Sequence, residues 1–377
     1  HYFNLAEKQN DQEAQFYLGL IYEEYGSFGI EKAIHYYLLA ADQNNSKAQI
    51  ALGNIYLTNE YANHDIDKAI YYYSLAANQN NSEAQFILGN LYYDNIYTSQ
   101  DIDMVIYYFS LAADHNHLFA QFKFACILND GKYVTRDIDF AVYYLKLAAN
   151  QNMSHAQYLL GIIYYEGKYV NQNINNAMHY FNSAANQKMP EAQHILGYIY
   201  IEGKYVKRNI NKAMKYFLDS ANQNNYYSYV SLAHIYYMGE YVKQDIEKAI
   251  NYFSKAADRN LSIAQLYLGL IYIEGKYIPP DISKGINLIL KAANQNNDDA
   301  QYHYGTIYFE GEFVKRNTEK AIRYLTLSAD QNNVYAQCYL GEIYFYGRFV
   351  PLDIKKSFQL LILVLVLFIL VITFFMI

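Results

Sequence analysis

Apolar residues recur at intervals of three and four along most of the chain, which is the spacing of an amphipathic α-helix. In residues 156–191 the pattern predicts a first helix from about Ala156 to Glu166 and a second helix that opens at Asn173. Gly167 suits the left-handed conformation that closes a helix, and Asn is a residue type that caps a helix start. This segment therefore predicts a helix-turn-helix unit.

The same unit recurs through the chain, first after 34 residues and then every 36. Ten copies open at Ala14, Ala48, Ala84, Ala120, Ala156, Ala192, Ser228, Ala264, Ala300 and Ala336. The second helices open at Asp65, Asp101, Asp137, Asn173, Asn209, Asp245, Asp281, Asn317 and Asp353, and only Gly29 departs. Because one such unit cannot bury its apolar faces alone, the copies are expected to stack into a solenoid.

The composition narrows the function classes. Of the 377 residues 53% are hydrophobic, 46 are tyrosine and only 4 are proline, which excludes a disordered or collagen-like chain. The net charge of −7 provides no basic field, so we expect no nucleic-acid partner. Cys126 and Cys338 are too few for a disulfide framework and are expected to be free thiols.

The consensus Ala-x3-Leu-Gly-x2-Tyr-x2-Gly-x2-Val-x2-Asp/Asn-x2-Lys-Ala-x2-Tyr-x3-Ala-Ala resembles the Sel1-like repeat over residues 14–358. This family is related to the tetratricopeptide repeat, which fits less well because its Trp and terminal Pro are missing. The resemblance implies an all-α, right-handed superhelical α-solenoid of about ten 36-residue repeats that serves as an adaptor for protein complexes. Residues 1–13 match only the second helix of a repeat, so we interpret them as a truncated copy.

The C-terminal sequence from Leu360 to Ile377 contains 18 residues without a charge, Gly or Pro. This length predicts a transmembrane helix over 359–377 that continues the last solenoid helix into a membrane. A buried helix of a soluble protein and a removable lipid-anchor signal are the alternatives, and both fit less well because no polar face and no cluster of small residues is present.

The expected membrane is that of the endoplasmic reticulum. Two features of the sequence predict opposite orientations of the repeats relative to it. Lys355 and Lys356 directly precede the apolar segment and favour cytosolic repeats. Glycosylation sequons, in contrast, would suit a luminal solenoid. They occur in the inter-repeat turns at Asn44, Asn80, Asn152 and Asn260.

The sequence contains no HExxH, Gly-x-Ser-x-Gly, P-loop or GxGxxG motif. His115 and His117 are the nearest approach to a metal pair, but a site needs more ligands, and Asp101 with Asp103 fits a helix cap and a first-turn acid. We therefore predict a non-enzymatic protein without a cofactor, metal or small-molecule substrate.

Proteins or peptides are the expected partners. Counting the first helix from its opening residue as zero, positions 2, 6 and 9 are predicted to point outward, and position 8, a repeated Tyr, into the core. Exposed apolar side chains of varied chemistry indicate a binding surface. The candidate protein-binding residues are Tyr165, Tyr198, His234, Tyr237, Ile273, Phe309 and Phe345.

Three functions follow as hypotheses. The first is a membrane-anchored scaffold that binds partners on the concave face of the solenoid. The second, implied by the resemblance alone, is a substrate-recruiting adaptor of a ubiquitin-ligase complex in endoplasmic-reticulum-associated degradation. The third is a regulatory repeat region of a larger protein such as a kinase.

Overall fold

The computed structural model describes residues 10–58, 64–94 and 101–362. Within these ranges it contains nineteen α-helices, one 3-10 helix at Gly26–Phe28 and no strand, and residues 354–362 are also helical. The α-helices are α1 Gln12–Glu23, α2 Ile30–Ala41, α3 Ser46–Thr58, α4 Ile66–Ala77, α5 Ser82–Asp94, α6 Ile102–Asp114, α7 Leu118–Asp130, α8 Ile138–Asn150, α9 Ser154–Glu166, α10 Ile174–Asn186, α11 Pro190–Glu202, α12 Ile210–Ala221, α13 Tyr226–Met238, α14 Ile246–Ala257, α15 Ser262–Glu274, α16 Ile282–Asn294, α17 Asp298–Glu310, α18 Thr318–Asp330 and α19 Val334–Tyr346.

The chain forms two compact units, unit 1 at His1–Met189 and unit 2 at Pro190–Ile377. Odd-numbered helices are the first helices of the repeats and even-numbered helices are the second. Within a unit, a first helix packs against the second helix of its own repeat and against that of the preceding repeat, as α9 does with α10 and α8. The predicted all-α repeat architecture is confirmed, whereas the right-handed sense of the superhelix stays a prediction.

The first helices begin two residues earlier than predicted, and in most repeats the turn before them supplies a side-chain cap, whereas α9 and α15 begin without one. Asn44 adopts a left-handed conformation with φ of 62°, and Asn45 then accepts a hydrogen bond from the backbone N–H of Ala48 at 3.0 Å. Asn combines both abilities, since it tolerates positive φ and its side-chain oxygen satisfies a free helix N–H. The Asn-Asn turns therefore both reverse the chain and start the next helix.

The predicted ends of the helices are otherwise confirmed. Asp137 accepts a hydrogen bond from the N–H of Phe140 at 3.1 Å, and its equivalents cap the other second helices, whereas Gly29 provides no side-chain cap. Gly167 closes α9 at φ of 63°. Asn59 and Asn95, which stand in the place of Gly167 in two other repeats, lie outside the described residues.

The core of each repeat lies where its two helices approach most closely. A Cβ placed on Gly161 of α9 would lie 2.5 Å from the ring of Phe181 in α10, so the aromatic ring packs directly on the backbone.

The tyrosines at position 8 of the first helices are less buried than predicted. Tyr164 is only half-buried, because it lies at the edge of the helix pair and stacks on Tyr180 at 6.0 Å between ring centroids. Tyr344 is buried, unlike the other tyrosines of this register.

The two predicted terminal segments fall largely on residues that the structure does not describe. Residues 1–9 of the truncated copy and residues 363–377 of the transmembrane segment lie outside the described ranges. In the part of the chain that the structure does describe, no helix combines the length and the apolar character needed to cross a membrane.

Candidate functional site

The accessible stripe of the first helices shares position 6 with the predicted one, but it contains positions 3 and 10 in place of 2 and 9. Positions 2, 5 and 9 face the second helix of the same repeat, as shown by the contacts of Tyr158 and Tyr165 with Phe181 at 6.1 and 6.3 Å between centroids. Positions 0 and 4 are buried in all ten repeats, and position 7 is buried in seven of them, on another side of the helix. Because two neighbouring helices cover the first helix, positions 6 and 10 remain accessible together with the half-buried position 3 between them and the start of the helix.

In unit 2 this stripe forms a pocket of about 380 Å³. His234 and Met238 of α13 form its centre, Tyr198 of α11 and Tyr267 of α15 form its walls, and the buried ring of Phe217 lies at its base. Tyr198 and Met238 are 49% and 56% exposed, so their surfaces are available to a ligand. The remaining lining residues are Ile201, Val230, Ser231, Ile235, Glu240, Tyr241 and Ile263.

Unit 1 contains a pocket of about 400 Å³ at the same positions of the repeat, 108 residues earlier. Cys126 and Asp130 of α7 occupy the places of His234 and Met238. The other lining residues are Tyr93, Phe109, Lys123, Ile127, Asn129, Tyr133 and Leu159. The repeat therefore builds one kind of pocket and varies its chemistry.

The pocket in unit 1 holds a positive charge among aromatic rings. The ammonium of Lys123 lies 5.6 Å from the centroid of Tyr93 and 5.7 Å from that of Phe109, and it donates to Oδ1 of Asn90 at 2.5 Å. Burial, reinforced by Asp130, raises the pKa of the Cys126 thiol to about 11. Cys126 is therefore a neutral thiol at physiological pH rather than a nucleophilic thiolate.

The structure distributes the predicted binding residues over three environments. Tyr198 and His234 line the pocket of unit 2, and Phe345 is 43% exposed. The outward orientation predicted for Ile273 and Phe309 is wrong, because both are buried against neighbouring helices. Tyr165 and Tyr237 are half-buried. Tyr165 packs on Phe181, and Tyr237 packs on Phe253 and Tyr267.

Sequence reasoning missed Met238 and Tyr267. The period of the helix could have indicated them, since positions 3, 6 and 10 share one face. The prediction assumed that a first helix is buried on one side only, and it therefore placed the exposed face at positions 2, 6 and 9. The role of all these residues in binding proteins stays a prediction.

The candidate glycosylation sites share one conformation. Asn44, Asn80, Asn152 and Asn260 are exposed and have φ between 61° and 66°. The Ser of each sequon is the first residue of the following helix, for example Ser46 of α3. These turns are accessible, and glycosylation at them stays a prediction.

His115 and His117, the nearest approach to a metal pair, form hydrogen bonds at the turn before α7. His117 replaces the usual Asn as the cap of α7, accepting from the N–H of Ala120 at 3.1 Å, and its Nε2 lies 3.1 Å from Glu83. His115 bonds to Gln85 at 2.8 Å. Within the described ranges, no group of three or more His, Cys, Asp or Glu side chains could hold a metal ion.

The family model for the Sel1 repeat matches ten successive segments, residues 12–45, 46–81, 82–117, 118–153, 154–189, 190–225, 227–261, 262–297, 298–333 and 334–363. The chain belongs to the Sel1 repeat family. The ten matches follow the predicted register, and each begins at or within one residue of a first helix of the structure.

Two solved structures of Sel1 repeat proteins resemble the chain along most of its length. One is c5321, a protective antigen of uropathogenic Escherichia coli strains with an SLR fold; it is 27% identical, with a TM-score of 0.84 over 95% of this chain and 77% of that chain. The other is a Sel1 repeat protein from Oxalobacter formigenes, 26% identical, with a TM-score of 0.68 over 82% of this chain and 89% of that chain. The chain matches none of the curated proteins.

Proposed function

We propose that this Sel1 repeat protein is a non-enzymatic scaffold that binds partner proteins through the accessible stripe of its first helices, with the pocket around His234 as the main anchor. The observation that carries the proposal is the recurrence of one pocket, at one register of the repeat, with different linings in the two units. A scaffold that holds different partners needs this combination of constant geometry and variable chemistry.

The pocket of unit 2 suits an apolar or aromatic side chain of a partner. Its volume lies in the range of ligand sites, and its walls are mainly aromatic and aliphatic with few polar groups. Aromatic rings and Met are also the residues enriched at protein interfaces. A single Leu, Phe or Trp inserted between Tyr198 and Tyr267 would bury apolar surface on both sides.

The test is selection of peptides from a random display library against the purified chain, followed by affinity measurement with a triple variant, Tyr198→Ser, His234→Ser and Met238→Ser. We expect selected peptides that share an apolar residue and bind the triple variant at least about tenfold more weakly. The matched control is Tyr25→Ser, an exposed tyrosine in the turn after α1, outside the accessible stripe. Equal binding by the triple variant and the parent would contradict the proposal.

Membrane attachment through residues 360–377 remains part of the proposal and is supported by the sequence alone. A protease-protection assay on microsomes, read together with glycosidase sensitivity, tests it. Cytosolic repeats would be digested without a mobility shift, and luminal repeats would be protected and glycosylated. Protein that does not sediment with the membranes would refute the anchor.

An adaptor role in endoplasmic-reticulum-associated degradation is the second candidate function. The observation that favours it is the repeated, exposed placement of the four sequons in the inter-repeat turns. It requires luminal repeats, so the same assay decides it. The regulatory region of a larger protein such as a kinase is a further proposal, which recovery of the complete coding sequence tests.

A further inference from the structure

The second helices of unit 1 carry a row of exposed tyrosines. Tyr71 of α4, Tyr107 of α6 and Tyr143 of α8 occupy one position in three consecutive repeats and are 57%, 53% and 54% exposed. We call these three residues the tyrosine ridge. The exposed His35 and His179 occupy the same position in the repeats before and after it.

The helices that carry the ridge are held in register with one another. The hydroxyl of Tyr144 donates to Oδ1 of Asp114, which joins α8 to the end of α6 at 2.7 Å. Each ridge ring also packs edge-to-face on the next residue of its helix, as Tyr107 does on Tyr108 at 5.1 Å between centroids. Since successive helix pairs of a solenoid stack roughly 10 Å apart, the ridge presents its rings at about that spacing.

Each ridge tyrosine has an exposed carboxylate four residues before it. Asp67 precedes Tyr71, Asp103 precedes Tyr107 and Asp139 precedes Tyr143. Residues four apart are neighbours on a helix surface. These carboxylates are not the capping residues, which are Asp65, Asp101 and Asp137.

Basic side chains near the ridge neutralise its aspartates only in part. Lys68 pairs with Asp65 at 3.2 Å and its ammonium lies 5.2 Å from the centroid of Tyr56. Lys32 lies in the same way at 5.2 Å from Tyr22. The next two repeats have the uncharged Met104 and Phe140 at the position of Lys68. In α8, Lys146 is the one exposed lysine.

The ridge is confined to unit 1. At the same exposed position unit 2 has Lys215, Asn251, Asn287 and Arg323. Packing of the repeat therefore does not require an aromatic residue here. An exposed ring that packing does not require points to an external contact.

We infer that the tyrosine ridge, with its row of aspartates, binds a cationic segment of a partner protein in which Arg or Lys side chains lie about three residues apart. Cations bind over tyrosine rings and beside carboxylates. The chain itself uses this contact, since the guanidinium of Arg136 lies 4.4 Å from the centroid of Tyr169. Three residues of extended chain span about 10 Å, which matches one repeat. This surface is independent of the pocket on the first helices.

The probe is a fluorescein-labelled peptide with six Arg-Gly-Ser triplets, titrated against the full chain in a non-ionic detergent and read by fluorescence anisotropy. A Gln-Gly-Ser peptide of the same length is the neutral control. We expect the Tyr71→Ser, Tyr107→Ser and Tyr143→Ser triple variant to bind the arginine peptide roughly tenfold to hundredfold more weakly. Asp67→Asn with Asp103→Asn and Asp139→Asn should weaken binding and flatten its dependence on salt.

Ser substitutions at Asn251 and Asn287, which like those of the ridge change no charge, provide the matched control and should leave the affinity unchanged. The inference is overturned if the tyrosine variant binds the arginine peptide as tightly as the parent, or if the glutamine peptide binds equally well. It is also overturned if the ridge instead mediates self-association in sedimentation velocity. Circular dichroism of each variant establishes that it is folded.

Discussion

Gln187 donates its side-chain amide to Oε1 of Gln157 at 2.7 Å, and Gln157 donates in turn to the carbonyl of Ala149 at 3.2 Å. The buried Gln157 of α9 thereby joins the ends of α8 and α10, which belong to two successive repeats. The same glutamine pair recurs as Gln43 with Gln15, Gln79 with Gln49, Gln151 with Gln121, Gln223 with Gln193, Gln295 with Gln265 and Gln331 with Gln301.

Gln157→Leu should destabilise unit 1. The change leaves the amide of Gln187 without this acceptor and the carbonyl of Ala149 without this donor. Gln187 is exposed and the carbonyl of Ala149 still accepts from the N–H of Asn152 at 2.9 Å, so the loss is that of two hydrogen bonds, each contributing about 0.5–1.5 kcal/mol. The expected result is a lower midpoint of thermal unfolding, measured by circular dichroism.

Gln337 provides the matched control for that variant. It donates to the carbonyl of Ala329 at 3.1 Å, but its Oε1 is buried without a hydrogen-bond partner among the described residues. Gln337→Leu removes this unsatisfied acceptor together with one bond, so we expect a smaller loss than for Gln157→Leu. Equal losses would show that the glutamine pair contributes nothing beyond the bond to the carbonyl.

Ser357→Ala should stabilise the last repeat by about 1 kcal/mol. The Ser357 side chain is fully buried, and its hydroxyl has no partner in the described part of the chain. Burial of an unpaired hydroxyl is unfavourable, and Ala occupies the equivalent, fully buried position at Ala177 and Ala321. Thermal unfolding of the full chain measures the effect, and Ala177→Ser should produce the opposite shift. A decrease in stability on Ser357→Ala would contradict the prediction.

The period of the repeat, the glycines that close the first helices and the aspartates that open the second could be predicted from sequence, because each depends on one residue type at one place. The Asn-Asn turn was only partly predictable. Its two residues look alike in sequence, yet Asn44 supplies the positive φ and Asn45 the cap.

The candidate site was less predictable, because it depends on which helices surround the first helix. Ile273 lies on the side that a single-helix projection marks as outward, yet the packing of successive repeats buries it. The recurrent Gln was visible in the sequence, but its role depends on a partner 30 residues away. Contacts between repeats therefore decide what the pattern within one repeat leaves open.

Gly161→Ala should destabilise unit 1 by roughly 1–2 kcal/mol, because the new methyl group would displace the ring of Phe181. The ring can give way, since Ala233 lies opposite Phe253 at this register of another repeat. Ala125 instead shares its core with the smaller Leu145. Phe181→Leu should therefore cost less in the Gly161→Ala background than in the parent, and strictly additive losses of thermal stability would contradict this packing.

Burial of His194 should make the stability of the chain depend on pH. His194 lies half-buried on α11 beside Phe217, with its Nε2 at 3.1 Å from Oγ of Ser231. Burial lowers the pKa of His194 from its usual 6.5 to about 4. Burial likewise lowers the pKa of His303. Between pH 6.5 and 4 the unfolded chain therefore takes up a proton that the folded chain excludes.

The stability contributed by neutral His194 is consequently complete above pH 6.5 and is lost as the pH falls toward 4, by an amount on the order of 3 kcal/mol. His194→Gln, which cannot titrate, should reduce the fall in unfolding midpoint between pH 7 and pH 4.5. The exposed His179 offers the control, since His179→Gln leaves the buried histidine in place and should preserve the parent profile. Identical pH profiles for His194→Gln and the parent would mean that His194 is protonated in the folded chain without cost, and that its burial beside Phe217 does not disfavour the charge.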